Sequence, residues 1–391
     1  MDEAAPLRIS SGALPKRTAP TAAIFGAFIV AGVVTTLLGP MLPVLISRWS
    51  LTDERAGLFF TLQFTSNIAG VLSLSALIPR WGYKTTLVLG FVAIALGLAG
   101  LNAASQVGGL GATAAYGYGL GLVLPSANLW VAEAAESRRV AALSILNFMW
   151  GIGAIACAPL VLLAQEHSAI SWFLYGVAGA AAAAALILSM LNLRLPQRRP
   201  ETAQALNPSA GRIVAIALGA LFFLYVGAEN SVAGWAAALA KRMGMNLWAL
   251  APMFFWGALL AGRAFVPVNP LRKRERVLVM TGLIMGLLGS AILTVTTTFW
   301  GVVACVAMTG LGFAAIYPVL VAWLTLLFAE RAPKIGSAMF ILAAMGGATM
   351  PWLVGFLSTH GNNLRAGLLV PVAACAVMLV FLLWIPRRVA S

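Results

Sequence analysis

One carboxylate stands apart in this chain. Glu229 lies within IVAIALGALFFLYVGAENSVAGWAAALA, with no other charge between Arg212 and Lys241. An ionised side chain at the centre of a bilayer costs at least about 2–3 kcal/mol on insertion scales, so such a residue persists where it faces a water-filled cavity or a partner. A carboxylate there could bind a proton or a sodium ion, or accept hydrogen bonds from substrate hydroxyls. The alternative is a protonated acid bonded to a neighbouring helix for packing. The other acidic residues, Asp53, Glu133 and Glu275 among them, fall in or within about a turn of expected loops and termini.

Neutral polar groups accompany Glu229. Gln63 and Asn67 stand four apart and share a helix face; Asn128, Asn147 and Asn230 lie in other apolar stretches. Amides both donate and accept, which suits a solute dense in hydroxyls, although each could equally join two helices. Gln63 and Asn147 stand out because aromatic residues flank them: Phe59, Phe60 and Phe64 around the first, Phe148 and Trp150 beside the second. Among the deep tryptophans, Trp150, Trp235 and Trp256 are the expected pocket walls, since an indole face can stack on a sugar ring; packing is the competing role. His167 and His360 fall in expected outer loops, away from Glu229. Cys157, Cys305 and Cys375 lie in apolar segments without CxxC spacing, which supports neither a disulfide framework nor a metal site. No cofactor is expected.

These groups must be positioned by helices that cross a membrane. The chain is 61% hydrophobic and 9% charged, with a mean hydropathy of +0.95, whereas soluble domains carry about 25% charged residues. Apolar runs of spanning length recur, at about 21–46, 56–79, 84–104, 108–133, 140–164, 169–193, 213–240, 246–268, 277–297, 299–328, 335–358 and 364–386. The expected fold is an all-α membrane protein of twelve transmembrane helices in two six-helix bundles. The runs are too continuous for barrel strands. The polar opening is not expected to be a cleavable signal peptide, because the apolar run after it is of spanning length.

Charge orients the bundle. Of the 25 lysines and arginines, only Arg48, Arg55, Lys241, Arg242 and Arg365 fall on one side of this span map. The positive-inside rule therefore places both termini in the cytoplasm of a bacterial-type inner membrane. The net charge of +14 reads as topology and lipid contact. Nucleic acid is not expected as a partner, since no basic groove interleaved with aromatics is present. Arg263 and the basic residues from Arg272 to Arg276 are expected at the cytoplasmic end of the eighth span, contacting headgroups. The expected organisation is a tail (1–20), a first bundle (21–193), a linker (194–212), a second bundle (213–386) and a tail (387–391). Gly119-Leu120-Gly121 and Pro125 echo Gly310-Leu311-Gly312 and Pro318; Gly151, Gly153 and Pro159 echo Gly346, Gly347 and Pro351. Two such repeats are a known transporter arrangement, with the site between them near the midplane.

The loop Ser75-Ala76-Leu77-Ile78-Pro79-Arg80-Trp81-Gly82-Tyr83-Lys84 resembles, in degraded form, the loop motif of the major facilitator superfamily. Arg80, Gly82 and Lys84 fit; Ser75 and Pro79 replace its Gly and Asp. The resemblance implies a gating role for Arg80 and Lys84, weakened by the loss of the Asp. Pro40-Met41-Leu42-Pro43, Ala127-Asn128 and Tyr225-Val226-Gly227-Ala228-Glu229 resemble the fucose-permease-like sugar transporters. Two carboxylate positions of the L-fucose–proton symporter align with Gly39 and Leu124, so that coupling scheme does not carry over.

The chain lacks HExxH, GxSxG and phosphate-binding glycine loops, which argues against an enzyme. The expected function is secondary active transport of a small polar solute, a monosaccharide by preference, by alternating access. Glu229 is the expected coupling site for H⁺ or Na⁺, and the carrier is expected to be a monomer. The alternative is a proton-coupled exporter of amphipathic compounds or drugs, suggested by the apolar bias of the deep residues and the Gly151-Ile152-Gly153…Pro159 stretch of the fifth span.

Overall fold

The structure is a computed structural model. It describes residues 18–102, 105–135, 138–193, 212–266, 274–328 and 332–385. Arg272 and Lys273 of the basic cluster, residues 194–211 of the linker, residues 1–17 of the first tail and the whole tail 387–391 lie outside these residues.

The described chain is helical from end to end, in the order α1 (Thr18–Thr36), α2 (Leu38–Trp49), α3 (Asp53–Gly100), α4 (Gln106–Ala134), α5 (Arg139–Glu166), α6 (Ile170–Met190), α7 (Arg212–Arg242), α8 (Ala251–Phe265), α9 (Glu275–Leu293), α10 (Phe299–Phe313), α11 (Ile316–Phe328), α12 (Ala332–His360), α13 (Leu364–Gly367) and α14 (Leu369–Leu382). Eleven stretches among the described residues are long and apolar enough to cross a membrane. One of them, α3, has 48 residues, about 72 Å at 1.5 Å per residue, twice what one crossing needs. It turns at Gly82, whose φ of 75° and ψ of 173° lie in a region open essentially to glycine alone. Twelve spans result.

Three other spans are broken rather than continuous, each for the same reason. Proline has no N–H to give to the carbonyl four residues earlier. Pro40 leaves Thr36 at the α1/α2 break, Pro318 leaves Ala314 at the α10/α11 break, and Pro371 leaves Gly367 at the α13/α14 break.

The sequence echo between the halves has a packing cause. A Cβ at Gly119 would stand 2.5 Å from the Gly90 carbonyl oxygen, and one at Gly121 2.2 Å from that of Asn67, so α4 presses against both limbs of α3. In the second half, a Cβ at Gly312 would stand 2.5 Å from the Gly282 carbonyl oxygen and one at Gly310 2.3 Å from that of Phe255, so α10 presses against α9 and α8. Gly153 of α5 and Gly346 of α12 repeat the correspondence: a Cβ at each would stand 1.9 Å from a carbonyl oxygen, of Ile29 on α1 and Phe223 on α7. Backbone approaches this close admit only glycine, and small residues allow them where lipid supplies no hydrophobic drive between helices.

The two bundles meet along two seams, α3 with α12 and α5 with α8, and along α2 with α7. The first and last described residues, Thr18 and Ile385, lie at one end of the bundle, called here the terminal end; the other is the far end. Toward the far end the seams are shut. Thr61 Oγ1 donates to the Ala348 carbonyl at 2.7 Å, and the Glu54 N–H to Thr359 Oγ1 at 2.9 Å. Toward the terminal end the same faces separate. Leu72 shares a helix face with Thr61, eleven residues away, yet is 57% exposed. Asn147 is exposed one turn from Gly151, whose Cβ would meet Leu260 across the α5/α8 seam. The molecule is closed at the far end and open at the terminal end.

Candidate functional site

A small cavity marks the point where the seams close. It is lined by Thr35, Gly39, Phe60, Gln63, Asn230 and Trp256 among others, with room for about one water molecule. Counting 1.5 Å per residue from the far helix ends puts Gln63 and Asn230 about 15–18 Å deep, near mid-membrane.

Gln63 is buried and held at both ends. Its Nε2 donates to the Thr35 carbonyl at 3.2 Å, and its Oε1 accepts from the Tyr116 hydroxyl at 3.1 Å. Trp150 Nε1 donates to Thr35 Oγ1 at 3.3 Å, which itself donates to the Ala31 carbonyl at 2.7 Å. The Trp150 ring meets Trp256 edge-on, centroids 5.7 Å apart, so an indole of the first half backs the one that the second half turns to the cavity. Asn230 lines the same cavity, with Nδ2 turned back to the Val226 carbonyl at 2.9 Å. Its Oδ1 remains an acceptor. Gly39 is closed to a side chain: a Cβ would stand 2.9 Å from the Ala233 carbonyl oxygen.

Glu229, one residue before Asn230, is buried. Tyr225, one turn earlier on α7, donates its hydroxyl to Glu229 Oε1 at 3.0 Å, with the Phe313 carbonyl a second acceptor at 3.3 Å. The charge that acts on both Glu229 and Tyr225 is Arg263 of α8, which also influences Tyr317 of α11. Arg263 corrects the expectation of a headgroup contact. It stands twelve residues from the start of α8, and Glu229 thirteen from the end of α7, about 18 and 20 Å from the far end. The two charges share one depth.

The remaining expected residues are placed differently. Asn67 is half-buried on the α3 limb facing α4. Asn128 and Asn147 fold back onto their own helices, donating to the Leu124 and Leu143 carbonyls at 2.8 Å; Asn147 is exposed in the open α5/α8 seam. Trp235, expected as a pocket wall, is fully buried; its Nε1 donates to the Pro351 carbonyl at 2.9 Å, packing α7 onto α12, and it is not among the residues that line the cavity. Arg80 and Lys84 are exposed at the terminal end, with the Arg80 guanidinium 5.8 Å from the neighbouring Trp81 ring. The contact between helices there belongs to Tyr83, whose hydroxyl donates to Glu133 at 2.6 Å; burial, then Glu133, raises its pKa. Among the described residues no cluster of His, Cys, Asp and Glu could hold a metal ion.

At the far end lies a second charged group that loop assignment hid. Asp53, in the first turn of α3, is buried and paired with Arg242 at the end of α7, and it accepts from Ser358 of α12. An acid in a first turn also meets the positive end of the helix dipole. Beside it, Lys241 reaches Ser47 at 3.3 Å and the Pro43 carbonyl at 3.4 Å and lies 5.0 Å from the Trp248 ring. These contacts tie the two bundles together at the closed end.

The sequence model of the Major Facilitator Superfamily matches residues 24–280. No curated protein matches the chain in sequence. Among solved structures, a bacterial homolog to the human lysosomal transporter Spinster, in an inward-facing and unoccupied conformation, superposes with a TM-score of 0.75 at 15% identity, covering 97% of this chain and 98% of that one. The same homolog in its inward-facing and occupied conformation gives a TM-score of 0.75 at 14% identity, with the same coverage. At these identities the likeness is one of fold.

Proposed function

The chain belongs to the Major Facilitator Superfamily, and from that premise we propose that this transporter moves a small polar solute, a monosaccharide or close relative, with a cation coupled through Glu229. The observation that carries this reading is the convergence of Gln63, Thr35, Asn230 and the Trp150–Trp256 wall at the point where the two halves meet. Pockets that hold a polar ligand combine apolar walls with a few placed polar groups, and here each half supplies some of both. The cavity is the apex of the cleft that opens toward the terminal end. With the termini cytoplasmic, as the basic-residue bias supports, this is an inward-open state in a bacterial-type inner membrane. The two six-helix bundles, with boundaries near 193 and 213, are the rocking bodies of alternating access. Arg80 and Lys84, exposed in this state, are proposed to engage when the terminal end closes.

Proteoliposome uptake under defined proton and sodium gradients tests coupling. Glu229→Gln should abolish concentrative uptake and leave counterflow intact; a variant that still accumulates substrate shows that the cation binds elsewhere. Thermal-shift titration with hexoses and lipophilic cations tests the substrate class. Stabilisation by the cations and by no sugar would replace this reading with export of amphipathic compounds.

A further inference from the structure

Arg263 is a deep cation whose donors are not all engaged. Its Nε is buried and has no hydrogen-bond partner, and a buried donor left unmade carries a desolvation penalty. The position of Arg263 follows from three residues on one face of α8. Trp256 lines the cavity, Leu260 meets Gly151 of α5 across the seam, and Arg263 comes one turn later. Since α5 and α8 run antiparallel, one turn from Gly151 toward the terminal end is Asn147, exposed in the cleft. Arg263 and Asn147 thus stand at matching levels on opposite walls. On its other side Arg263 acts on Glu229 and Tyr225, while the hydrogen bond that Glu229 makes is to Tyr225.

We propose that Arg263 binds the carboxylate of an acidic substrate, so that the solute held by the cleft is an organic anion of the sugar-acid class. This rests on the reading of the cleft as a sugar site. A guanidinium offers a planar fork that matches a carboxylate with two parallel hydrogen bonds. Glu229, whenever it is ionised, is the internal anion with which the substrate competes. A doubly charged phosphate fits less well, because Glu229 would repel it at the same depth. The amide of Asn147, the cavity amides and the indole wall remain for the hydroxyls and the ring.

The test is equilibrium binding to the purified full-length protein. The probes are several hexuronates and aldonates, their neutral parent sugars, hexose 6-phosphates, and short non-sugar carboxylates. Wild type should bind at least one sugar acid tenfold or more tighter than its neutral parent. Arg263→Gln should erase that preference, and Arg263→Lys should restore only part of it, keeping the charge and losing the fork. Glu229→Gln should tighten acid binding several-fold by removing the competitor. Neutral parents binding wild type as tightly as the acids, or Arg263→Gln retaining the preference, overturns the anion site and leaves the sugar reading standing. Non-sugar carboxylates binding through Arg263 while no sugar derivative binds keeps the anion site and overturns the sugar reading. Preference for the phosphates, or no anion bound at all, overturns the carboxylate assignment. Should Arg263→Gln fail to fold, the double variant with Glu229→Gln removes both charges together and is held to the same loss of preference.

Discussion

Replacing Asp53 with Asn should open the far end of the molecule. Asp53 is the hub of that closure: it pairs with Arg242 on α7 and accepts from Ser358 on α12, joining the first bundle to two helices of the second. Its side chain is 8% exposed and that of Arg242 is 43% exposed, so the pair lies between two limits. Exposed pairs contribute about 0.2–1 kcal/mol, and removing one partner of a buried pair costs about 3–5 kcal/mol. An intermediate value of about 2 kcal/mol is appropriate, because Asn keeps an acceptor for Ser358 and loses the charge. The cost falls on the far-closed state alone, since separation of the bundles breaks the pair in any case. At about 1.4 kcal/mol per tenfold, the equilibrium should move about 30-fold toward the far-open state. A far-open population of about 1% would become about 20–25%.

Distance distributions between spin labels at Glu166→Cys and Thr297→Cys, both exposed at the far end on different bundles, measure this directly. The native cysteines are buried. A longer-distance population should appear in Asp53→Asn and shrink again when Arg242→Asp accompanies Asp53→Arg. An unchanged distribution in Asp53→Asn would show that helix packing, such as Gly57 against Trp352, holds the far end without the ion pair, and the latch argument would fail.

Gly153→Ala places a methyl 1.9 Å from the Ile29 carbonyl oxygen, and overpacking of this kind costs about 1–3 kcal/mol; thermal unfolding in detergent should show it, with Gly179→Ala, which meets nothing within 4 Å, as the neutral control. Trp235→Phe removes the bond to Pro351 and should lower stability by about 1 kcal/mol without weakening substrate binding, whereas Trp256→Phe should weaken binding at little cost in stability. Equal loss of binding in both variants would return Trp235 to the pocket wall.

The spans were legible because lipid imposes a simple rule on them: a helix of sufficient length and apolarity, repeated, with basic residues sorted to one side. The repeat was legible through glycines, since a Cβ at these positions would stand only about 2 Å from a neighbouring carbonyl oxygen and no other residue fits. The helix breaks at Thr36, Ala314 and Gly367 were not read, although the prolines four residues later carry the signal. Trp235 packs between α7 and α12 rather than lining the cavity, because depth in a span does not say which way a side chain points. Gln63 lines the cavity, but its engagement by Tyr116 and Thr35 depends on three helices meeting, which no local pattern encodes.

Charge was read best where it was anomalous and worst where it had an ordinary explanation. Glu229 had no loop to belong to, so its burial stood out. Arg263 and Asp53 lay near expected loops, and topology or solvation sufficed for each. In the structure Arg263 comes near the level of Glu229, because α8 begins only at Ala251 and runs antiparallel to α7. The far-end pair has a related signal in Arg242, which ends α7 thirteen residues beyond Glu229. One unbroken helix therefore carries both a mid-membrane carboxylate and the cation of the far latch, about 20 Å apart. Any rigid-body tilt of α7 that separates Arg242 from Asp53 also moves Glu229 relative to the first bundle. Ligand contacts that favour one tilt therefore bias both ends of the carrier, and α7 is the element through which occupancy of the cleft and closure of the far end are linked.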